Sequence, residues 1–236
     1  MSIDSVILVG GQGTRLQSVL KGLPKPLAPL RGRPFLDIII KQLKNFRAIS
    51  KVILAVGYKA QAVIDAYSRS NDFTFPIEFS VEDSPLGTGG AMKKAFLQAG
   101  SETILAMNGD SYAEFDLEAF LAFHKSHGGD VSLLLASVDD VSRFGEVMFE
   151  PASGRITDFQ EKSTRQEPGF INAGIYLMKN NIFEGLPGEA AFSFEKDSLP
   201  RLIQRGIYGY PSSGKFIDIG IPETYGRAEE YLGELL

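Results

Sequence analysis

The chain has 236 residues, 44% of them hydrophobic, enough for one large α/β core. A formal charge of −5 with no basic stripe argues against a nucleic-acid partner, and the lack of cysteine removes disulfides, thiolate metal sites and cysteine nucleophiles together. No leader pattern precedes the first strand, and no apolar run approaches the ~20 residues needed to cross a bilayer, so a soluble, cytoplasmic protein is expected.

In chain order, an apolar strand at Ser5 to Val9 runs into the turn Gly10-Gly11-Gln12-Gly13-Thr14-Arg15. A helix pattern follows at Pro34 to Phe46, with Pro34 expected at the first helical position. Strands at Lys51 to Val56, Ile77 to Ser80, Thr103 to Met107 and Val131 to Ala136 then alternate with helices at Lys59 to Ser68, Gly89 to Gln98 and Leu117 to His124. Asp116 is the expected cap of the last helix. This alternation predicts a doubly wound, mostly parallel, Rossmann-like α/β sheet. After about residue 140 the strands become short, at Gly145 to Phe149, Ile156 to Phe159 and Gly174 to Met178. A helix at Lys196 to Gln204, a strand at Gly206 to Tyr210 and a closing helix at Pro222 to Leu232 complete the pattern. With no repeat or linker in view, 1–236 reads as a single domain: a nucleotide-binding core over about 1–140 and an additional lobe over about 141–236.

The glycine turn after the first strand exposes bare backbone N–H groups that can approach a polyphosphate. Arg15 and, ten residues on, Lys25 add two positive charges, and Pro24 and Pro26 stiffen the backbone on both sides of that lysine. Spacing excludes two other phosphate loops. From Gly11 and Gly13 the third dinucleotide-binding position is Leu16, and no lysine follows the turn directly as a P-loop requires. Gly10 to Arg15, Gly57-Tyr58 and Asn108-Gly109-Asp110 all fall at strand ends, where open α/β sheets bind ligands. His124 and His127 offer too few ligands for a metal site and are expected in solvent, charged, at a helix end ahead of Gly128-Gly129.

The segments Leu8 to Leu16 and Leu23-Pro24-Lys25-Pro26 resemble the signature of the sugar-1-phosphate nucleotidyltransferases. The likeness continues through Glu82 with Pro85 to Gly90, Asn108-Gly109-Asp110, Phe144-Gly145, Glu161-Lys162, Asn172 to Tyr176 and Phe216 to Gly220. Within that family the chain is most similar to the D-glycero-α-D-manno-heptose 1-phosphate guanylyltransferases, which share the segments Phe192 to Glu195 and Phe216 to Gly220.

The resemblance implies a GT-A-like nucleotidyltransferase fold with a sugar-binding lobe, and a set of roles. Leu8, Gly10, Gly11, Gly13, Thr14, Arg15, Lys25, Glu82, Gly87, Thr88 and Gly109 would bind the nucleotide. Gly145, Glu161, Lys162 and Asn172 would hold the sugar phosphate, and Asp110 and Asp218 would bind Mg²⁺. Arg15, Lys25, Asp110 and Lys162 would carry catalysis. Read without the resemblance, either aspartate also suits a turn or cap, and Glu161-Lys162 reads as a solvated surface pair. A carboxylate at Glu82 suits guanine, whose N1–H and N2 amino group are adjacent donors, whereas uracil presents one N–H between two carbonyls. Gly89 and Gly90 are expected to let a helix N-terminus approach the base or ribose.

The expected activity is guanylyl transfer from GTP to a sugar 1-phosphate, most simply D-glycero-α-D-manno-heptose 1-phosphate. Mannose or another hexose 1-phosphate, UTP as donor, and a non-catalytic nucleotide-sugar-binding regulatory protein are the alternatives. Small molecules are the expected partners, with no membrane or nucleic acid and a homo-oligomer left open.

Overall fold

The computed structural model describes residues 2–68, 73–160, 165–184 and 191–235. The first strand, β1 (Ile3–Leu8), leads through a 3-10 turn at Thr14–Leu16 into the short α1 (Gln17–Leu20). A second 3-10 turn at Lys25–Leu27 precedes a small antiparallel ladder, β2 (Pro29–Leu30) with β3 (Arg33–Pro34). Then come α2 (Phe35–Lys44), β4 (Ile49–Val56), α3 (Ala60–Tyr67), β5 (Ile77–Val81), α4 (Gly87–Phe96) and β6 (Thr103–Asn108). The chain continues through β7 (Ser111–Ala113), α5 (Leu117–His127), β8 (Val131–Val138), β9 (Glu146–Phe149), β10 (Ile156–Gln160) and β11 (Gly169–Lys179). A π-helical turn at Phe194–Ser198 runs into α6 (Leu199–Arg205), followed by β12 (Tyr208–Ser212), β13 (Phe216–Asp218) and α7 (Pro222–Tyr231).

The strands β5, β4, β1 and β6 lie side by side and parallel. The chain builds outward from β1 through β4 to β5, then returns to place β6 on the other side of β1. That reversal opens a crevice at the carboxyl end of β1. Beyond β6 the sheet becomes mixed: β11 runs antiparallel to β6, β8 and β9, and β12 pairs in parallel with β8.

Both faces of the central strands are covered, which is why they read as nearly continuous apolar runs. On one face Ile7, Leu54, Leu105 and Met107 pack with Leu36, Ile39 and Ile40 of α2, Val63 of α3 and Phe120 of α5. On the other, Val6, Ile53, Ile104 and Ala106 pack with Ala91, Met92 and Phe96 of α4 and Leu199 and Leu202 of α6.

Three local expectations need correction. Pro34 does not occupy the first helical position; with ψ at 140° it is the cap residue, held extended by its pairing with Pro29, and α2 starts at Phe35. The strand expected at Gly174 to Met178 is only the second half of an 11-residue strand. A bulge between Asn172 and Tyr176, with Gly174 at φ 73°, breaks the alternation that would have revealed the first half. Asp116 does cap α5, accepting from the N–H groups of Glu118 (2.9 Å) and Ala119 (3.1 Å), and Gly128 closes it at φ 60°. The histidines at that end, however, are not a solvated charged pair. His124 is 5% exposed with Nδ1 2.9 Å from Ser132 Oγ, and burial, with the charge of Lys179, pushes its pKa down to about 4. The His127 ring lies between those of Phe123 and Tyr208, at centroid distances of 4.2 and 4.6 Å.

Candidate active site

Three strand ends meet in the crevice. The Gly10 carbonyl accepts from the Tyr58 N–H (3.0 Å), joining the ends of β1 and β4, and the Gly109 N–H donates to the Leu8 carbonyl (2.9 Å), joining β1 to the end of β6. Gly13, at φ 58°, makes the left-handed turn into the 3-10 segment that carries Arg15. A Cβ on Gly10 would stand 2.7 Å from Glu82 Oε1 and 3.1 Å from the Gly57 nitrogen, so glycine lets the loop lie close against that carboxylate. Gly109 has a packing role instead. Its Cβ would fall 2.6 Å from Val9 and 2.7 Å from the Leu8 carbonyl, and the residue borders neither cavity described below.

The first cavity, about 440 Å³, is lined by Leu8, Gly10, Gly11, Gln12, Gly57, Tyr58, Glu82, Asp83, Ser84, Pro85, Gly87, Thr88 and Ala91. Its walls are largely apolar, with Glu82 as a buried-side carboxylate. Glu82 Oε2 accepts from the Leu86 N–H (3.0 Å), and burial raises the carboxyl's pKa against the lowering effect of that bond. One of its lone pairs is therefore committed to the protein, and recognition of a base must use those that remain.

Thr88 and the neighbouring glycines are engaged by a second segment of the chain. Thr88 Oγ1 donates to Glu195 Oε2 (2.6 Å) and accepts from the Phe194 N–H (2.9 Å). The Gly89 and Gly90 N–H groups donate to the Phe192 carbonyl (3.0 and 3.4 Å). A Cβ on Gly89 would lie 2.1 Å from the Phe192 ring, and one on Gly87 would lie 2.5 Å from the Phe192 carbonyl oxygen. The glycines at the start of α4 thus make room for the segment Phe192 to Glu195, which occupies donors expected to face base or ribose. Gly87 and Thr88 still border the cavity.

The second cavity, about 220 Å³ and strongly polar, is lined by Leu8, Val9, Gly11, Gly13, Thr14, Arg15, Lys25, Pro26, Asp110 and Gly220. It shares Leu8 and Gly11 with the first, and nothing stands within 4 Å of where a Gly11 Cβ would be. Lys25, only 8% exposed, holds Asp110 Oδ2 at 2.6 Å, while Arg15, in the 3-10 turn after the glycines, is exposed. Asp218 reaches the same place through the ladder of β7 with β13, in which it pairs with Ser111, and the Ile219 N–H donates to the Asp110 carbonyl (3.0 Å). Burial first, and then the Asp110 charge, raises the Asp218 carboxyl, with Lys25 opposing. Two hard carboxylates that repel each other beside a phosphate-sized cavity suit a divalent cation that also takes substrate and water oxygens.

Of the residues expected to hold the sugar phosphate, Asn172 donates its N–H to the Gly145 carbonyl (3.0 Å), which brings those two together. The Asn172 side chain is partly engaged: Nδ2 donates to the Tyr176 hydroxyl (2.7 Å), and Oδ1 accepts from the Gly174 N–H (3.0 Å). Gly145 sits under the Phe159 ring, where a Cβ would come within 2.6 Å. Neither residue borders the two cavities, but a Cβ on Gly174 would come within 2.5 Å of Asn108 Nδ2, so the bulge abuts the end of β6. Glu161 and Lys162 lie outside the described residues. Ala91 and Ser111 join the site with no sequence signal, whereas Gln12, Tyr58 and Gly220 stand in segments that could be read, in the glycine turn, at a strand end and after Asp218.

This is a crevice built to bind a nucleoside and its phosphates side by side, next to a pair of acids. Over residues 4–234 the sequence matches the family described as nucleotidyl transferase, and the chain belongs to that family. It is 40% identical to D-glycero-alpha-D-manno-heptose 1-phosphate guanylyltransferase of Aneurinibacillus thermoaerophilus, over 98% of each chain. The guanylyltransferase of the same description from Campylobacter jejuni is 36% identical, over 94% of this chain and 97% of that one. Among solved structures, HddC from Yersinia pseudotuberculosis complexed with GMP-PN superposes with a TM-score of 0.85 at 37% identity, covering 97% of this chain and 98% of that one.

Proposed function

We propose that this protein transfers the guanylyl group of GTP to a sugar 1-phosphate, D-glycero-α-D-manno-heptose 1-phosphate being the favoured acceptor, to give the GDP-sugar and pyrophosphate. The observation that carries this reading is that the two cavities adjoin at Leu8 and Gly11, with Glu82 in one and Lys25 with Asp110 in the other. A guanine in the first cavity puts its phosphates in the second, over the glycine loop. The names of the two heptose-phosphate relatives support the choice of acceptor.

The reaction is an in-line attack by a sugar-phosphate oxygen on the α-phosphorus, with pyrophosphate leaving. The nucleophile is already an anion, so the protein's task is to bring anions together and stabilise the charge that moves. Lys25 faces the α-phosphate, and the exposed Arg15 takes the leaving pyrophosphate, where a guanidinium fork spans two oxygens. The backbone of Gly11 and Gly13 cradles the phosphates. Glu82 accepts from the guanine edge with its uncommitted lone pairs. Gly145 and Asn172, with Glu161 and Lys162, hold the sugar phosphate. Asp110 and Asp218 would hold Mg²⁺, which when bound neutralises phosphate charge and keeps the reacting groups aligned. We place the protein in the cytoplasm, as one domain acting on small molecules; among the described residues no helix is long and apolar enough to cross a membrane.

Pyrophosphate release measured over a matrix of four nucleoside triphosphates and several sugar 1-phosphates tests this. Highest kcat/KM for GTP with the manno-heptose phosphate is expected. Preference for UTP would overturn the role of Glu82, and preference for mannose 1-phosphate would replace the acceptor. Nucleotide-sugar binding without any pyrophosphate release would favour a regulatory protein.

A further inference from the structure

We infer that Ser111 is a positioning residue that presets the spacing and orientation of the two carboxylates, an inference that rests on the metal-binding role proposed for Asp110 and Asp218. Ser111 follows Asp110 directly and stands opposite Asp218 in the ladder of β7 with β13. Its side chain is buried, the residue being 7% exposed, and points between the acids. Oγ lies 3.0 Å from Asp218 Oδ2 and 3.4 Å from Asp110 Oδ1.

A hydroxyl has one proton and cannot serve both acids at once. The shorter distance assigns it to Asp218. Asp110 has its own partner in Lys25, at Oδ2. Asp218 then carries one donor on each oxygen: the Gly220 N–H on Oδ1 (2.6 Å) and Ser111 on Oδ2. Two donors in fixed places lock the plane of a carboxylate. Each leaves a lone pair for a cation, so the ligand is oriented without being consumed. Outer partners of this kind typically contribute 10–100-fold to metal affinity.

The geometry also explains why a serine does this. The hydroxyl lies between two like charges at the end of a three-residue ladder, where alanine would leave Asp218 Oδ2 facing Asp110 with no donor. The acid would then be free to rotate away from the orientation that suits a cation.

The test uses Mn²⁺ as the probe, followed by its electron paramagnetic resonance signal, with the full-length protein alone and with a non-hydrolysable GTP analogue. Ser111→Ala is expected to weaken Mn²⁺ binding about ten-fold or more, with the thermal midpoint little changed. Ser111→Thr, which keeps the hydroxyl, should stay within a few-fold of wild type. In turnover, the Mg²⁺ concentration for half-maximal rate should rise more than kcat falls. Mn²⁺ binding by Ser111→Ala equal to wild type, while Asp218→Asn loses it, would overturn this inference alone. If Asp110→Asn and Asp218→Asn both bind Mn²⁺ as wild type does, the metal reading fails and the inference with it. Equal loss in the Ala and Thr variants would also reject the hydroxyl's role.

Discussion

Lys25 Nζ and Asp110 Oδ2 meet at 2.6 Å on the wall of the smaller cavity, joining the segment after the glycine loop to the end of β6. In the proposed reaction the lysine would serve two anions in turn: the aspartate in the resting site, and a phosphate when substrate arrives. Lys25→Ala is expected to lower kcat for pyrophosphate release by about 10²–10³, in line with loss of one donor to transition-state charge. It should also remove the charge that holds the Asp218 carboxyl down against burial and its neighbour. A parallel measurement of the acid side of the pH–rate profile should therefore show that limb displaced upward in the variant.

Glu82 sets a pH dependence of its own. Burial raises its pKa, so as pH falls the carboxylate is neutralised earlier than an ordinary glutamate near 4.3. The kcat/KM for GTP should decline on that acid limb, because the neutral form loses an acceptor. Glu82→Gln should remove the Glu82 component of that limb and, at neutral pH, cut the preference for GTP over UTP by about ten- to hundred-fold, the worth of a hydrogen bond to a charged group. Parallel profiles with both nucleotides check it; an unchanged GTP/UTP ratio refutes the assignment.

His124 makes stability fall on mild acidification. Its pKa is about 4 in the folded protein against 6.5 for the free side chain, so at pH 7 the folded state is neutral, the unfolded state is mostly so, and its effect there is small. Below pH 6.5 the unfolded chain takes up the proton first, and stability declines progressively until about pH 4. Allowing for residual screening, the loss attributable to this group is about 2 kcal/mol. His124→Gln retains a polar partner for Ser132 and abolishes the titration. The difference in urea-unfolding free energy between variant and wild type should therefore shift in the variant's favour from pH 7 to pH 4.5.

Gly89→Ala would set a methyl 2.1 Å from the Phe192 ring. The ring must move, and destabilisation of about 1–3 kcal/mol follows from overpacking. Phe192→Ala will also destabilise, but in its background the added methyl at position 89 should cost less. The double-mutant cycle in urea therefore shows a coupling that two independent sites lack. KM for GTP should rise in Gly89→Ala, because the displaced segment also holds Thr88 on the cavity wall.

Much of the architecture could be read from residues near one another in the chain. Alternating apolar runs and helical patterns give the parallel half of the sheet, because strands buried on both faces must be apolar throughout. The glycine loop and the Pro-Lys-Pro segment are legible because turn conformation and phosphate access constrain local residue types. Less could be read where the chain departs from a period. The first half of β11 hides behind a bulge, and the ladders β2–β3 and β7–β13 are two and three residues long, too short to show alternation.

The amino-acid order alone therefore determined that a strand, a glycine turn and two cations would gather at one polar cavity, since backbone conformation and charge there are local properties. Only the tertiary structure decided that Asp218 would reach Asp110, that Thr88 would be taken up by Glu195 across a separation of 107 residues, and that His124 would be buried and neutral. Those outcomes depend on which surfaces pack together. A short polar segment has no periodicity to announce its partner, and whether a titratable group is buried is a property of the assembled core.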